Sequence, residues 1–142
     1  MFPEDGQRHE ILDGEHYVNP APYLIHQKIS GRFTWVLGPF IEENDLGVLF
    51  AAPTDVILSR HDIAQPDLVF VSKERSHILT KANIQGVPDL VIEILSDSTR
   101  KIDEGIKYER YERFGVREYW LTDPFQETVT VWKKPTSSGS PS

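Results

Sequence analysis

The clearest pattern in the chain is the run from Gly86 to Ser96, where Leu90, Ile92 and Ile94 alternate with Val91, Glu93 and Leu95. An extended segment with this pattern is apolar on both faces, as in a central strand covered on both sides. Gly86 and Pro88 mark its entry turn and Ser96-Asp97-Ser98 its exit. Runs rich in β-branched and aromatic residues over 47–52, 54–58 and 66–71 predict three more strands, the last opened by Pro66. Near the N-terminus, 8–12 and 15–18 flank Asp13-Gly14, a pair suited to a tight hairpin turn. From Tyr23 the period changes: Ile25, Ile29, Phe33, Val36 and Phe40 recur at helical spacing, and Gly38-Pro39 is expected to stop the helix. The polar stretch 73–81, with little periodicity, is expected to hold one short helical turn. A second helix is read over 103–114, with acidic residues at its start and Gly115 just past its end. Strands over 117–122 and 128–132 follow, joined by a turn at Asp123-Pro124. The sum is an α+β fold: a central mixed β-sheet flanked by helices, with an N-terminal β-hairpin. One domain is expected over 1–134, followed by a Ser/Pro-rich tail over 135–142 that is expected to be disordered.

Composition narrows the classes of function. The 142 residues, 39% hydrophobic and 26% charged, suit one domain with a real core. No apolar run is long enough to span a membrane, and the first residues lack the basic and apolar regions of a signal peptide, so a cytoplasmic protein without a membrane partner is expected. There is no cysteine, hence no disulfide framework and no thiolate zinc site. The net charge of -7 argues against a broad phosphate-binding surface, so any contact with nucleic acid depends on a local patch or on metal ions. Arg100, Lys101, Arg110, Arg113 and Arg117 would make such a patch. Interleaved Asp103, Glu104, Glu109 and Glu112 equally make a solvated helix face.

Three carboxylates lie in or beside apolar strands. An ionised Glu93 in mid-strand costs several kcal/mol unless it is paired or bound to a cation. Asp67 precedes Leu68-Val69-Phe70-Val71, and if its strand pairs with that of Glu93 the two can share one ion, since neighbouring strands lie about 4.8 Å apart. Asp55 reads rather as a turn cap. Asp89 lies roughly 13 Å along the strand from Glu93, too far to share an ion with it, and belongs to the entry turn. Carboxylates without cysteine or a histidine cluster select a hard cation, Mg²⁺ or Mn²⁺, which suits phosphodiester hydrolysis. That chemistry also calls for a nearby positive charge. Lys107 is the candidate, with a flexible stem whose removal is expected to spare the fold, although Asp103 and Lys107 also form an ordinary i, i+4 surface pair. His26 reads as a partly buried, hydrogen-bonded histidine beside the apolar stripe.

Several runs together resemble a known family: Gln65 to Val71; Gly86 to Arg100; Lys107-Tyr108 with Tyr111; and Phe114-Gly115-Val116-Arg117-Glu118-Tyr119-Trp120-Leu121-Thr122-Asp123-Pro124. This is the pattern of the Uma2-like (DUF820) proteins of the PD-(D/E)XK, restriction-endonuclease-like superfamily. Glu10 to Glu15, Pro20-Ala21-Pro22 and His26 fit its N-terminal signature. The resemblance implies metal-binding Asp67 and Glu93. The superfamily lysine falls at Leu95, and the resemblance implies that it has moved to Lys107. Glu15 or Glu10, with His26, would complete the site. The implied function is a Mg²⁺-dependent (or Mn²⁺-dependent) DNA endonuclease. The alternative is an inactive nuclease-fold protein kept as a binding or regulatory module. A homodimer is also implied, with Tyr119 and Trp132 as exposed aromatics to support it.

Overall fold

The computed structural model describes residues 2–135, so beyond Pro135 the Ser/Pro-rich tail lies outside the described residues. The chain opens with the hairpin β1 (Arg8–Leu12) and β2 (Glu15–Asn19), followed by helix α1 (Leu24–Glu43). Next come β3 (Gly47–Ala51), β4 (Val56–Ser59), β5 (Asp62–Ala64), β6 (Leu68–Ser72), a 3-10 turn (Lys73–Ile78) and β7 (Ile84–Gln85). The second half holds β8 (Leu90–Ile94), the short helix α2 (Arg100–Glu104), α3 (Ile106–Phe114), β9 (Glu118–Asp123) and β10 (Thr128–Lys133).

The first hairpin closes as its turn residues dictate. Asp13 and Gly14 have φ of 52° and 81°, the left-handed pair that a two-residue turn of this twist requires, and Leu12 faces Glu15 across it. The strands form two five-stranded sheets: β10-β9-β8-β6-β3 is the central mixed sheet expected from the sequence, and beyond that expectation the N-terminal hairpin extends into a second, β2-β1-β5-β4-β7. The difference comes from β5 and β7, three and two residues long, which are too short to show a period yet tie the hairpin and β4 into a sheet of their own.

In the second sheet β8 is central, antiparallel to β6 and parallel to β9. Val91, Ile92, Glu93 and Ile94 are all buried, so the two-sided covering read from its pattern is realised. Val69 and Val71 of β6, Val91 and Leu95, and Tyr119 and Leu121 of β9 join Tyr111 of α3 and Val56, Ala64, Ile78 and Ile84 in one apolar cluster. That cluster binds the two sheets together. Burying a side chain of this size is worth about 1.5–3 kcal/mol.

Both helix expectations need correction. α1 runs through Pro39 to Glu43, and its inward side chains are His26 and Ile41, with Ile29, Phe33 and Leu37 half-buried between them. Ile25, Val36 and Phe40 of the expected stripe are exposed. A proline removes only one intrahelical donor, and burial of Ile41 beyond it favours continuation. The second helix begins earlier, at Arg100, and breaks at Gly105, whose φ and ψ are -109° and -100°. A Cβ at Gly105 would stand 2.7 Å from the Lys101 carbonyl oxygen. The break turns α3 so that Lys107, Arg110 and Tyr111 face inward. Among the described residues no helix is long and apolar enough to cross a membrane.

Candidate active site

The site forms where the two sheets meet. Strand β1 of the first sheet brings Arg8 and Glu10, two residues apart and therefore on one face. The facing edges of β6 and β8 in the second sheet bring Asp67 and Glu93. Helix α1 adds His26, α2 adds Asp103, and α3 adds Lys107 and Tyr111.

Asp67 sits just before β6, where the Leu68–Ile92 pairing begins, and its side chain continues the ladder. The Ile94 backbone N–H donates to Asp67 Oδ2 at 2.7 Å, and the Asp67 N–H donates to Glu93 Oε1 at 3.2 Å. Each carboxylate is thus fixed by the backbone of the other's strand, and Asp67 Oδ1 and Glu93 Oε1, the latter also accepting the Asp67 N–H, border one point. The Arg8 guanidinium occupies that point: one nitrogen pairs with Asp67 Oδ1 and the other lies 3.5 Å from Glu93 Oε1. His26 Nε2 lies 3.2 Å from Asp67 Oδ1.

The other oxygen of Glu93 meets Lys107. The Lys107 ammonium pairs with Glu93 Oε2 and lies 2.5 Å from Glu10 Oε2 and 3.9 Å from Asp103 Oδ1. The Tyr111 hydroxyl donates to Glu93 Oε2 at 3.1 Å, and the Gln65 N–H donates to Glu10 Oε2 at 2.8 Å. Lys107, Glu10, Glu93 and Asp103 are all buried. Lys107 and Asp103 are therefore no surface pair, and the lysine stem is locked in place rather than free.

Burial and pairing pull these groups in opposite directions. Burial works to raise Asp67, but the Arg8 charge and His26 overcome it and hold the carboxyl down at about 2. For Glu93 burial wins over Lys107, so its pKa is driven well above the ordinary carboxylate range. Burial also pushes Asp103 up to about 7 against Lys107 and Arg8. Burial alone would lower the Lys107 ammonium, yet Glu10, Glu93 and Asp103 raise it above its usual value. Four carboxylates face two permanent cations here, and Glu93 and Asp103, whose carboxyls are raised, are the two inclined to hold protons. Glu10 Oε1 and both Asp103 carboxylate oxygens are buried without a hydrogen-bond partner.

The structure therefore brings together Asp67, Glu93, Lys107 and His26 from the sequence reading, and of the two N-terminal acids it selects Glu10. Glu15 is exposed and accepts the Tyr17 hydroxyl at 3.0 Å, because β2 carries it away from the other sheet. Asp55 accepts from the Gln65 side-chain amide at 2.7 Å, outside the cluster. Asp89 stays with the strand entry, accepting from the Ser72 N–H at 2.6 Å. Leu95 is part of the apolar cluster. Sequence reasoning missed Arg8 and the burial of Asp103. The available signal for Arg8 was its alternation with Glu10 and buried Leu12 on one strand face.

The fit of a hard divalent cation can be judged from these atoms. Two oxygen donors converge on one cationic group, and the guanidinium is a stand-in for such an ion. The donor type suits Mg²⁺ or Mn²⁺, which needs only one or two carboxylates when water completes its shell. Among the described residues no group of three or more His, Asp or Glu side chains is arranged to hold a metal by itself.

A family model described as "Uma2: Putative restriction endonuclease" matches residues 2–141. Among solved structures, the chain is similar to a "putative nuclease belonging to DUF820" from Anabaena variabilis. That match has 21% sequence identity and a TM-score of 0.79, and covers 96% of this chain and 77% of the other. At that identity the likeness speaks for the fold. Comparison with curated proteins gives no match.

Proposed function

The chain belongs to the Uma2 family, and on that premise we propose that it is a divalent-metal-dependent nuclease that hydrolyses phosphodiester bonds of DNA. The observation that carries this reading is the convergence of Asp67 Oδ1 and Glu93 Oε1 on one cation, with a buried ammonium on the far oxygen of Glu93. Asp67 and Glu93 would hold Mg²⁺ or Mn²⁺. Such an ion supplies Lewis acidity toward a phosphoryl oxygen and acidifies water. Lys107 pulls Glu93 toward its ionised form against the burial that favours its proton, and Tyr111 fixes the carboxylate plane by donating to Oε2. His26, beside Asp67 and lining the adjoining cleft, is placed to exchange a proton with water or substrate there.

The expected basic strip is thinner than its sequence suggests. Arg110 is held by Asp62 at 2.8 and 2.9 Å, and Arg100 by Asp123 at 3.0 Å. Lys101, Arg113 and Arg117 remain exposed for phosphate contacts. The homodimer belongs to the same proposal, on a different surface from the one expected. Tyr119 is buried and Trp132 half-buried, whereas Leu24, Ile25, Trp35, Val36 and Phe40 make an exposed apolar face on α1. Sedimentation velocity of the wild type and of Trp35→Glu tests it, with a dimer expected only for the wild type.

One observation favours the second reading, a binding module without activity: Arg8 already satisfies the carboxylates of both Asp67 and Glu93. Cleavage of supercoiled plasmid with Mg²⁺ or Mn²⁺ decides between them. The nuclease reading expects cleavage that chelation stops and that Asp67→Asn and Glu93→Gln each lower by about 10²-fold or more. No cleavage by the wild type with either metal, across single- and double-stranded DNA, would favour the binding module.

A further inference from the structure

We infer that Arg8 is a resident counter-cation that a divalent metal has to displace, so that this arginine sets the metal affinity of the site. The inference rests on the reading of Asp67 and Glu93 as metal ligands and adds a residue that the sequence motifs do not include. Its basis is geometric. The guanidinium is forked between Asp67 Oδ1 and Glu93 Oε1, the two oxygens bordering the shared point. A metal ion bound to both oxygens and an arginine bridging both cannot coexist there.

Arg8 also has a route to solvent. Its side chain is 13% exposed, whereas Lys107, Glu93 and Glu10 are sealed, at 0 to 1%. It borders a narrow cleft formed with Pro20, Pro22, His26, Ser96 and Thr99. Lys107 has no comparable exit, being closed in by Glu10, Glu93 and Asp103. The two cations therefore differ in kind: Lys107 is a fixed part of the site and Arg8 an exchangeable one. A displaced guanidinium facing this cleft remains close to the site and is suited to a phosphate oxygen.

The consequence is quantitative. When a site is competent in only a fraction of molecules, its apparent affinity falls by that fraction. If Arg8 bridges the carboxylates in about nine molecules of ten, its removal tightens metal binding about tenfold.

Calorimetric titration with Mn²⁺ alone tests this on wild type, Arg8→Met, Glu93→Gln and the double variant. Arg8→Met is expected to bind Mn²⁺ at least about tenfold more tightly than the wild type, and the double variant to lose that binding. Equal affinities for wild type and Arg8→Met, both abolished by Glu93→Gln, would overturn the role of Arg8 and leave the carboxylate site standing. No binding by either, with both proteins folded, would overturn both. If Arg8→Met does not fold, Arg8→Gln serves, since a neutral amide can still hydrogen-bond there but carries no charge to compete with the metal. It is expected to tighten Mn²⁺ binding severalfold, and wild-type affinity in it would overturn the inference.

Discussion

Lys107 Nζ lies 2.5 Å from Glu10 Oε2, an ion pair between residues 97 positions apart that fastens α3 to β1. The same ammonium pairs with Glu93 of β8. One buried lysine thus joins both sheets and a helix, and any account of the site has to treat it as structural as well as chemical.

Replacing Lys107 with Met is therefore expected to cost about 3–5 kcal/mol at pH 8, because it leaves buried carboxylates without their cation. This reverses the expectation from sequence that the fold would be spared. The loss depends on pH. Lys107 pulls the Glu93 and Asp103 carboxyls down against burial, so without the ammonium both rise further and the variant loses more stability than the wild type as pH rises. Urea denaturation should show a small deficit near pH 5 that grows toward pH 8. A uniform deficit across that range would contradict the pairing described.

Asp103 offers a cleaner pH test. Burial first, then neighbouring Asp67 and Glu10, raise its carboxyl to about 7 from an ordinary 3.8, against Lys107 and Arg8. Between those two values the folded chain holds a proton that the unfolded chain releases. Its contribution is thus fully present below about pH 4 and falls away as pH rises to about 7. Asp103→Asn should flatten this part of the pH–stability curve and raise stability at pH 8 on the order of 2 kcal/mol. Urea midpoints at pH 4.5, 6 and 8 for both proteins measure it. A variant that is less stable than the wild type at pH 8 would contradict it.

Gly105→Ala is expected to lose about 1–3 kcal/mol, the usual cost of forcing backbone to move for an extra carbon. Its Cβ would stand 2.7 Å from the Lys101 carbonyl oxygen, and backbone on that side cannot swing away as a side chain can. Thermal denaturation checks this. A neutral or stabilised variant would show that the α2–α3 break tolerates a side chain.

What could be read from the sequence followed from local rules. Asp13-Gly14 specified its turn, and the alternation over Leu90–Leu95 specified a doubly covered strand. The chemical cost of a mid-strand carboxylate pointed from Glu93 to a cation, and β6 pairs with β8 as the placement of Asp67 required. The failures share a cause, which is that the deciding contacts are remote. α1 is apolar on two sides, so its period does not say whether Ile25 and Val36 or His26 and Leu37 turn inward; only the sheet surface decides. Asp103 and Lys107 have the spacing of any solvated i, i+4 pair, and become buried because β1 and β8 close over them. Arg8 meets Asp67 across 59 positions and Glu93 across 85, which no local pattern reports.

The central claim is that Asp67 and Glu93 form one cation site, held by Arg8 until a metal takes it. Anomalous diffraction from crystals soaked in MnCl₂ tests it most directly. The account predicts one Mn²⁺ peak between Asp67 Oδ1 and Glu93 Oε1, about 2.1 Å from each, with the Arg8 guanidinium withdrawn toward Ser96 and Thr99. A peak that avoids these two oxygens, or no peak while Arg8→Met crystals also stay empty, would contradict it.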